Sequence, residues 1–114
     1  MNYDLEERTA KFGEEIIKFC KCLTQDSINR PIINQIIRSS TSIGANYMEA
    51  NAASSRKDFK NKIYICKKET QETKHWLRMM AQCEPGKKED LVRLWKECQE
   101  LTLIFGKIVS KLKN

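Results

Sequence analysis

One histidine, two prolines and four glycines are all that the 114 residues contain of three types on which many catalytic and phosphate-gripping motifs depend. No glycine-rich loop leads into a Lys-Ser or Lys-Thr pair, no serine sits in a nucleophile elbow, and no His-Glu-x-x-His helix is present. Enzymes built on those elements are excluded, and no catalytic residue is expected.

No apolar run approaches the roughly 20 residues that a helix needs to cross a bilayer. The opening Met1 to Glu7 has neither the basic nor the apolar segment of a secretion signal. The expected location is the cytoplasm, with no membrane partner. The five cysteines are odd in number and form no Cys-x-x-Cys pair, which suits free thiols in a reducing compartment better than a disulfide framework. Cys20 and Cys22 project about 200° apart on a helix and cannot share a metal ion. The single histidine closes Glu72-Thr73-Lys74-His75, the spacing that di-iron bundles use because residues three apart share a helix face. A second such element is missing, and Glu49 falls about 13 Å along the axis from Glu69. Neither a metal nor another cofactor is expected.

What is present is a helix-forming composition. Hydrophobic residues make up 40% and charged residues 32%, which places the chain among globular rather than disordered sequences. One domain over 1–114 is expected, removing roughly two thirds of the unfolded surface from water. Lys and Arg outnumber Asp and Glu by 21 to 15, a net charge of +6 that modestly favours an acidic partner.

The apolar periodicity predicts four helices. Leu5, Phe12, Ile16, Phe19, Cys20 and Leu23 share one face of the first. Pro31, suited to the first position of a helix, opens the second, which runs to about Ala53. Its interior holds Ser39-Ser40-Thr41-Ser42 and Gly44, poor helix formers, and the reading adopted is that Ser40, Gly44 and Ala45 let another helix come close. Ser55-Arg56-Lys57-Asp58 has the form of a capping box and starts the third. Phe59, Ile63, Cys66, Thr70, Thr73, Leu77 and Met80 alternate steps of four and three to Glu84-Pro85-Gly86. Leu91, Leu94, Cys98, Leu101, Phe105, Ile108 and Leu112 do the same in the fourth, and Trp95, Leu103, Ile104 and Val109 widen its stripe. Those four side chains suit either a second subunit or a broad contact within the chain. Short connections make neighbours antiparallel, so the expected fold is all-α, an antiparallel up-down-up-down four-helix bundle.

Beside the core stripe of the third helix runs a flank without acids: Lys60, Tyr64, Lys67, Gln71, Lys74 and Arg78, about 27 Å long. Lys60, Lys67, Lys74 and Arg78, with Lys107, Lys111 and Lys113 at the end of the fourth helix, could track a phosphate backbone. A solvated helix face is the competing reading. A tight turn after Ala53 sets Arg38 level with Gln71 and Glu72, which predicts an ion pair from Arg38 to Glu69 or Glu72 that fixes register more than it adds stability.

The run Gln35-Ile36-Ile37-Arg38-Ser39-Ser40-Thr41-Ser42-Ile43-Gly44-Ala45-Asn46-Tyr47-Met48-Glu49-Ala50, with Ser55, Lys57-Asp58-Phe59, Lys68-Glu69, Glu72-Thr73 and Trp76-Leu77 after it, resembles the four-helix-bundle proteins encoded in intervening sequences of bacterial 23S ribosomal RNA genes. Arg38, Ser42, Asn46, Glu49, Glu69 and Glu72 match the family pattern as a structural polar network with no catalytic role. The family is similar in fold to the accessory variability determinant protein of diversity-generating retroelements, a basic pentameric bundle that binds nucleic acid and a reverse transcriptase. The resemblance implies a homopentamer, which would multiply the charge fivefold. The expected function is a non-enzymatic scaffold that binds RNA or DNA through phosphates. The alternative is a protein-protein scaffold, for a reverse transcriptase or a ribosomal component.

Overall fold

The computed structural model describes residues 2–113. Its helices are α1 (Asn2–Cys20), α2 (Asn29–Asn51), α3 (Arg56–Cys83) and α4 (Lys88–Lys111), with a short 3-10 turn at Pro85–Lys87 before α4. They run up, down, up and down, each packed on the next and α4 returning to α1, in a bundle 44 × 20 × 20 Å. The α1/α2 and α3/α4 faces are therefore opposite sides of a rod.

Local chemistry explains each boundary. The apolar period of α1 continues to Leu23, which is buried, but the helix stops at Cys20. Cys22 N–H and Leu23 N–H close i→i+3 bonds to Phe19 and Cys20 carbonyls, and Gln25 Nε2 donates to the Leu23 carbonyl at 3.1 Å. Those bonds satisfy carbonyls that a longer helix would have used. The α2 helix begins at Asn29, ahead of the expected Pro31, because Asp26 Oδ1 accepts from Ile28 N–H at 3.0 Å and Asn29 N–H at 2.8 Å. Asp26 is the functional cap, and Pro31 sits within the first turn. At the other end α2 stops at Asn51, two residues before Ala53. Ser55 caps α3 as the sequence implies, its hydroxyl accepting from Asp58 N–H at 3.0 Å.

The serine-rich centre of α2 is helical throughout. Ser39 and Ser40 are fully buried, and Thr41 and Ser42 hydroxyls donate back to the Ile37 and Arg38 carbonyls at 2.7 and 2.6 Å. A Cβ at Gly44 would lie 3.5 Å from the Ala10 nitrogen, so it is α1 that comes close at that point, while Ala45 is exposed.

The core contains every stripe residue of α3 from Ile63 to Met80, together with Phe12, Ile16, Ile36, Ile43, Leu94, Leu101 and Phe105. Each large apolar side chain buried in this way contributes about 2 kcal/mol. Tyr47 and Phe105 meet edge to face at 5.7 Å across the centre. Ile104 and Val109 turn into this core, whereas Leu103 is 60% and Trp95 39% exposed. No helix of the described residues is long and apolar enough to cross a membrane.

Candidate nucleic-acid interface

The polar residues singled out on α2 and α3 separate into two groups. Arg38 Nη1 lies 3.3 Å from both carboxylate oxygens of Glu69, and Nη2 lies 2.5 Å from Glu72. Arg38 Nε donates to Gln35 Oε1 at 3.0 Å, which completes the orientation of the guanidinium. Glu69 is 5% exposed, so its charge is taken out of water and needs this partner. Ser42 and Asn46 continue the line along α2 through backbone carbonyls, Ser42 to Arg38 and Asn46 to Ser42. Glu49 does not join this network. It lies farther along α2 and pairs with Lys62 at 2.6 Å, a contact that the counting of facing residues missed.

With Glu69 and Glu72 held by Arg38, the Glu-x-x-His element is not assembled for metal binding. His75 is exposed, and its ring meets that of Trp76 edge-on at 4.9 Å. Among the described residues, no three of His, Cys, Asp and Glu stand together in a way that could hold a metal ion. The five cysteines are free thiols, with Cys20, Cys66 and Cys98 buried. Loss of hydration on burial pushes their thiols up to about 11, 12 and 12 respectively. Cys66 and Cys98 donate across helices to the Ile43 and Thr70 carbonyls, so they act as small core residues rather than nucleophiles.

The basic flank of α3 faces α4. Lys74 Nζ donates to Gln99 Oε1 at 2.5 Å and lies over the Trp95 ring, 5.4 Å from its centroid. Lys60, Lys67 and Lys74 are half-buried, while Arg78, Lys107, Lys111 and Lys113 are exposed. Cys98 meets Thr70. Ten residues toward the start of α3 and ten toward the end of α4 from that contact, Lys60 lies level with Ile108, between Lys107 and Lys111. The antiparallel packing brings these lysines to the same end of the bundle, but Lys107 and Lys111 fall about 80° and 120° around α4 from Gln99, toward solvent and the α1 side rather than on the α3-facing flank.

The paired acids of α3 and α4 are turned away from that seam. On α4, Glu97 forms a two-point pair with Arg8 of α1, both contacts at 2.8 Å, with Glu100 at 3.7 Å from the same guanidinium. The Glu97 hydrogen bond is the main cause that raises the Arg8 pKa. Arg93 pairs with Glu15 of α1 and with Asp90. On α3, Glu69 and Glu72 face α2. The α4 positions that share the α3-facing flank with Gln99, stepping by helical turns, are Lys88, Val92, Trp95, Leu103, Gly106 and Ser110, and none is acidic. Among the described residues, no ion pair involves Lys60, Lys67, Lys74, Arg78, Lys107, Lys111 or Lys113. The field along the seam is therefore of one sign over most of the bundle length.

The opposite face has another character. Between α1 and α2 lies a groove of about 710 Å³, lined in part by Ala10, Gly13, Gly44 and Ala45, with exposed Ile17 and Met48 on its sides and Glu6, Glu7 and Glu14 at its edge.

Comparison with known proteins adds three findings. A family model described as 23S rRNA-intervening sequence protein matches residues 1–107. Among solved structures, a protein of unknown function from the S23 ribosomal protein family of Bacteroides thetaiotaomicron superposes with a TM-score of 0.83 at 33% identity, over 91% of this chain and 96% of that one. No curated protein matches the sequence.

Proposed function

The chain belongs to the family of 23S rRNA-intervening sequence proteins, and from that premise we propose that it is a non-enzymatic, homo-oligomeric bundle that binds RNA or DNA through the phosphate backbone along the α3/α4 seam. The observation that carries this reading is the segregation of charge. Glu97 and Glu100 of α4 are held by Arg8 and Asp90 by Arg93, Glu69 and Glu72 of α3 are held by Arg38, and the charged residues on the facing flanks of the seam are cations. A phosphate chain laid there meets attraction without an intervening carboxylate, and each neutralised phosphate releases a condensed counterion. Backbone contacts of this kind carry no base sequence information. Binding to an RNA duplex at two salt concentrations tests the reading. A steep loss of affinity with salt supports it, and salt-independent binding or none counts against it.

The family resemblance implies a pentamer. In this reading the subunits meet through the apolar α1/α2 groove, where Met48 is 55% exposed, and the seam stays open. Light scattering on the purified chain tests the assembly. A mass near five chains supports it, and the mass of one chain removes it while leaving the seam as it is.

A protein partner is the second reading, favoured by Leu103, whose large apolar side chain is exposed next to the seam. A partner retained after nuclease digestion would favour it over nucleic acid.

A further inference from the structure

The seam is not uniform. At the end where the Pro85–Lys87 turn leads into α4, it opens into a notch of about 290 Å³. Leu77, Ala81, Leu91, Val92 and Trp95 make its wall apolar, and the exposed cations Arg78 and Lys88 complete a lining without acids. Leu77 and Leu91 are buried, yet Trp95 keeps 39% of its surface open to solvent beside them. Lys74 over the ring restrains it before any ligand arrives. A second depression, of about 520 Å³, borders the same Arg78, Ala81 and Lys88 and adds Gln82 and Pro85. The two cations thus stand between two openings, one of them aromatic.

The dimensions and chemistry narrow the ligand. A notch of this volume lies at the lower end of the range for organic ligands, which suits one flat ring system. The wall offers an aromatic face and aliphatic carbons, so a sugar would lose its hydrogen bonds there. The paired cations require a strong anion held close to the ring. A nucleobase carried on its phosphate meets both conditions.

We propose that this notch binds one unpaired nucleobase, with Trp95 stacking on the ring and Arg78 and Lys88 holding the adjoining phosphate. The inference rests on the phosphate-binding reading of the seam and deepens it by naming the preferred form of the ligand. Lysines along a groove take duplex and strand alike, whereas the notch takes only a base released from its pair. The second depression gives the continuing strand a way out past Gln82.

The test compares a ten-nucleotide RNA strand, the duplex of the same sequence, and free adenosine monophosphate. Binding is read by anisotropy and by tryptophan fluorescence in a Trp76→Phe background, so that Trp95 alone reports. The expected result is quenching of Trp95 by the strand and an affinity about five- to a hundredfold above that of the duplex, the span that one stacked base confers. Ala81→Leu, which fills the notch and leaves every cation, should remove most of that advantage. Should this variant fold poorly by circular dichroism, Trp95→Leu, which keeps the wall apolar, should lose the same advantage. A monophosphate that binds as tightly as the strand, with the same quenching and the same loss in the variant, supports the notch and assigns it to free nucleotides. Equal affinity for strand and duplex without quenching overturns the notch and leaves the phosphate reading standing. Failure of all three ligands to bind overturns both.

Discussion

Arg38 of α2 and Glu69 of α3 meet at 3.3 Å, although the arginine side chain is 45% exposed and the glutamate side chain only 7%. Removing one partner of such a pair leaves the other polar group buried without a hydrogen-bond partner. Arg38→Leu should therefore destabilise the bundle by about 3 kcal/mol, and adding Glu69→Leu should restore most of the loss. Urea unfolding of the two single variants and the double variant measures the coupling. Additive losses would mean that the pair is not the clamp described.

Gly44 gives the α1 backbone its path. The position of an added Cβ, 3.4 Å from Thr9 Oγ1 and 3.5 Å from the Ala10 nitrogen, is ordinary contact, so Gly44→Ala should be accepted and gain up to about 1 kcal/mol from helix propensity. Gly44→Val adds two carbons for which α1 leaves little room and should lose about 2 kcal/mol. Thermal melts of the pair check the sign change, and two variants that shift together would contradict the close approach.

The thiols should react in the order of their exposure. A thiol reagent at pH 8 should modify the exposed Cys22 first and the half-buried Cys83 more slowly. Cys20, Cys66 and Cys98, with thiols pushed up to about 11, 12 and 12, should remain unmodified until the protein is unfolded. Mass spectrometry against time counts the modified groups, and five cysteines reacting at one rate would show that the core is open.

Glu84 ties the α1–α2 loop to the end of α3. Its carboxylate accepts from Thr24 N–H and from Asn29 Nδ2, each at 3.0 Å, and the Thr24 bond is the first cause that lowers its pKa. A group with a lowered folded pKa stabilises the fold above its unfolded value, near 4.5, and loses that contribution as pH falls through the folded value. Glu84→Gln should melt below the parent at pH 7, with the gap closing in acid below the folded pKa. A gap that is the same at both pH values would remove the ionised carboxylate as the cause.

How far the sequence discloses this molecule depends on whether the relevant neighbours lie near in the chain. The steps of four and three in α3 identify its buried face from Ile63 to Met80 because the helical period alone decides it. The short turn between α2 and α3 lets simple counting set Arg38 against Glu72, and Ser55 announces its cap. The ends of α1 and α2 were less legible, since side chains outside the apolar pattern, Gln25 and Asp26, determine them. Half of the seam was legible as the acid-free flank from Lys60 to Arg78. The other half was not, because which side of α4 carries its acids is settled by Arg8 and Glu97, 89 residues apart. Lys74 over Trp95 and the notch beyond it likewise arise only when α3 and α4 are packed.

The seam is tested most directly by moving the same charge at two places. Lys60→Glu with Lys67→Glu reverses two seam cations, and Lys11→Glu with Lys18→Glu reverses two exposed cations on α1. Both variants fall in net charge from +6 by the same amount. Affinity for an RNA duplex, titrated with salt, should drop at least about tenfold more in the seam variant, with the salt slope reduced by about 2, while the α1 variant shows only the small effect of net charge. Equal losses in the two variants would contradict the account, because the attraction would then belong to overall charge and not to the α3/α4 seam.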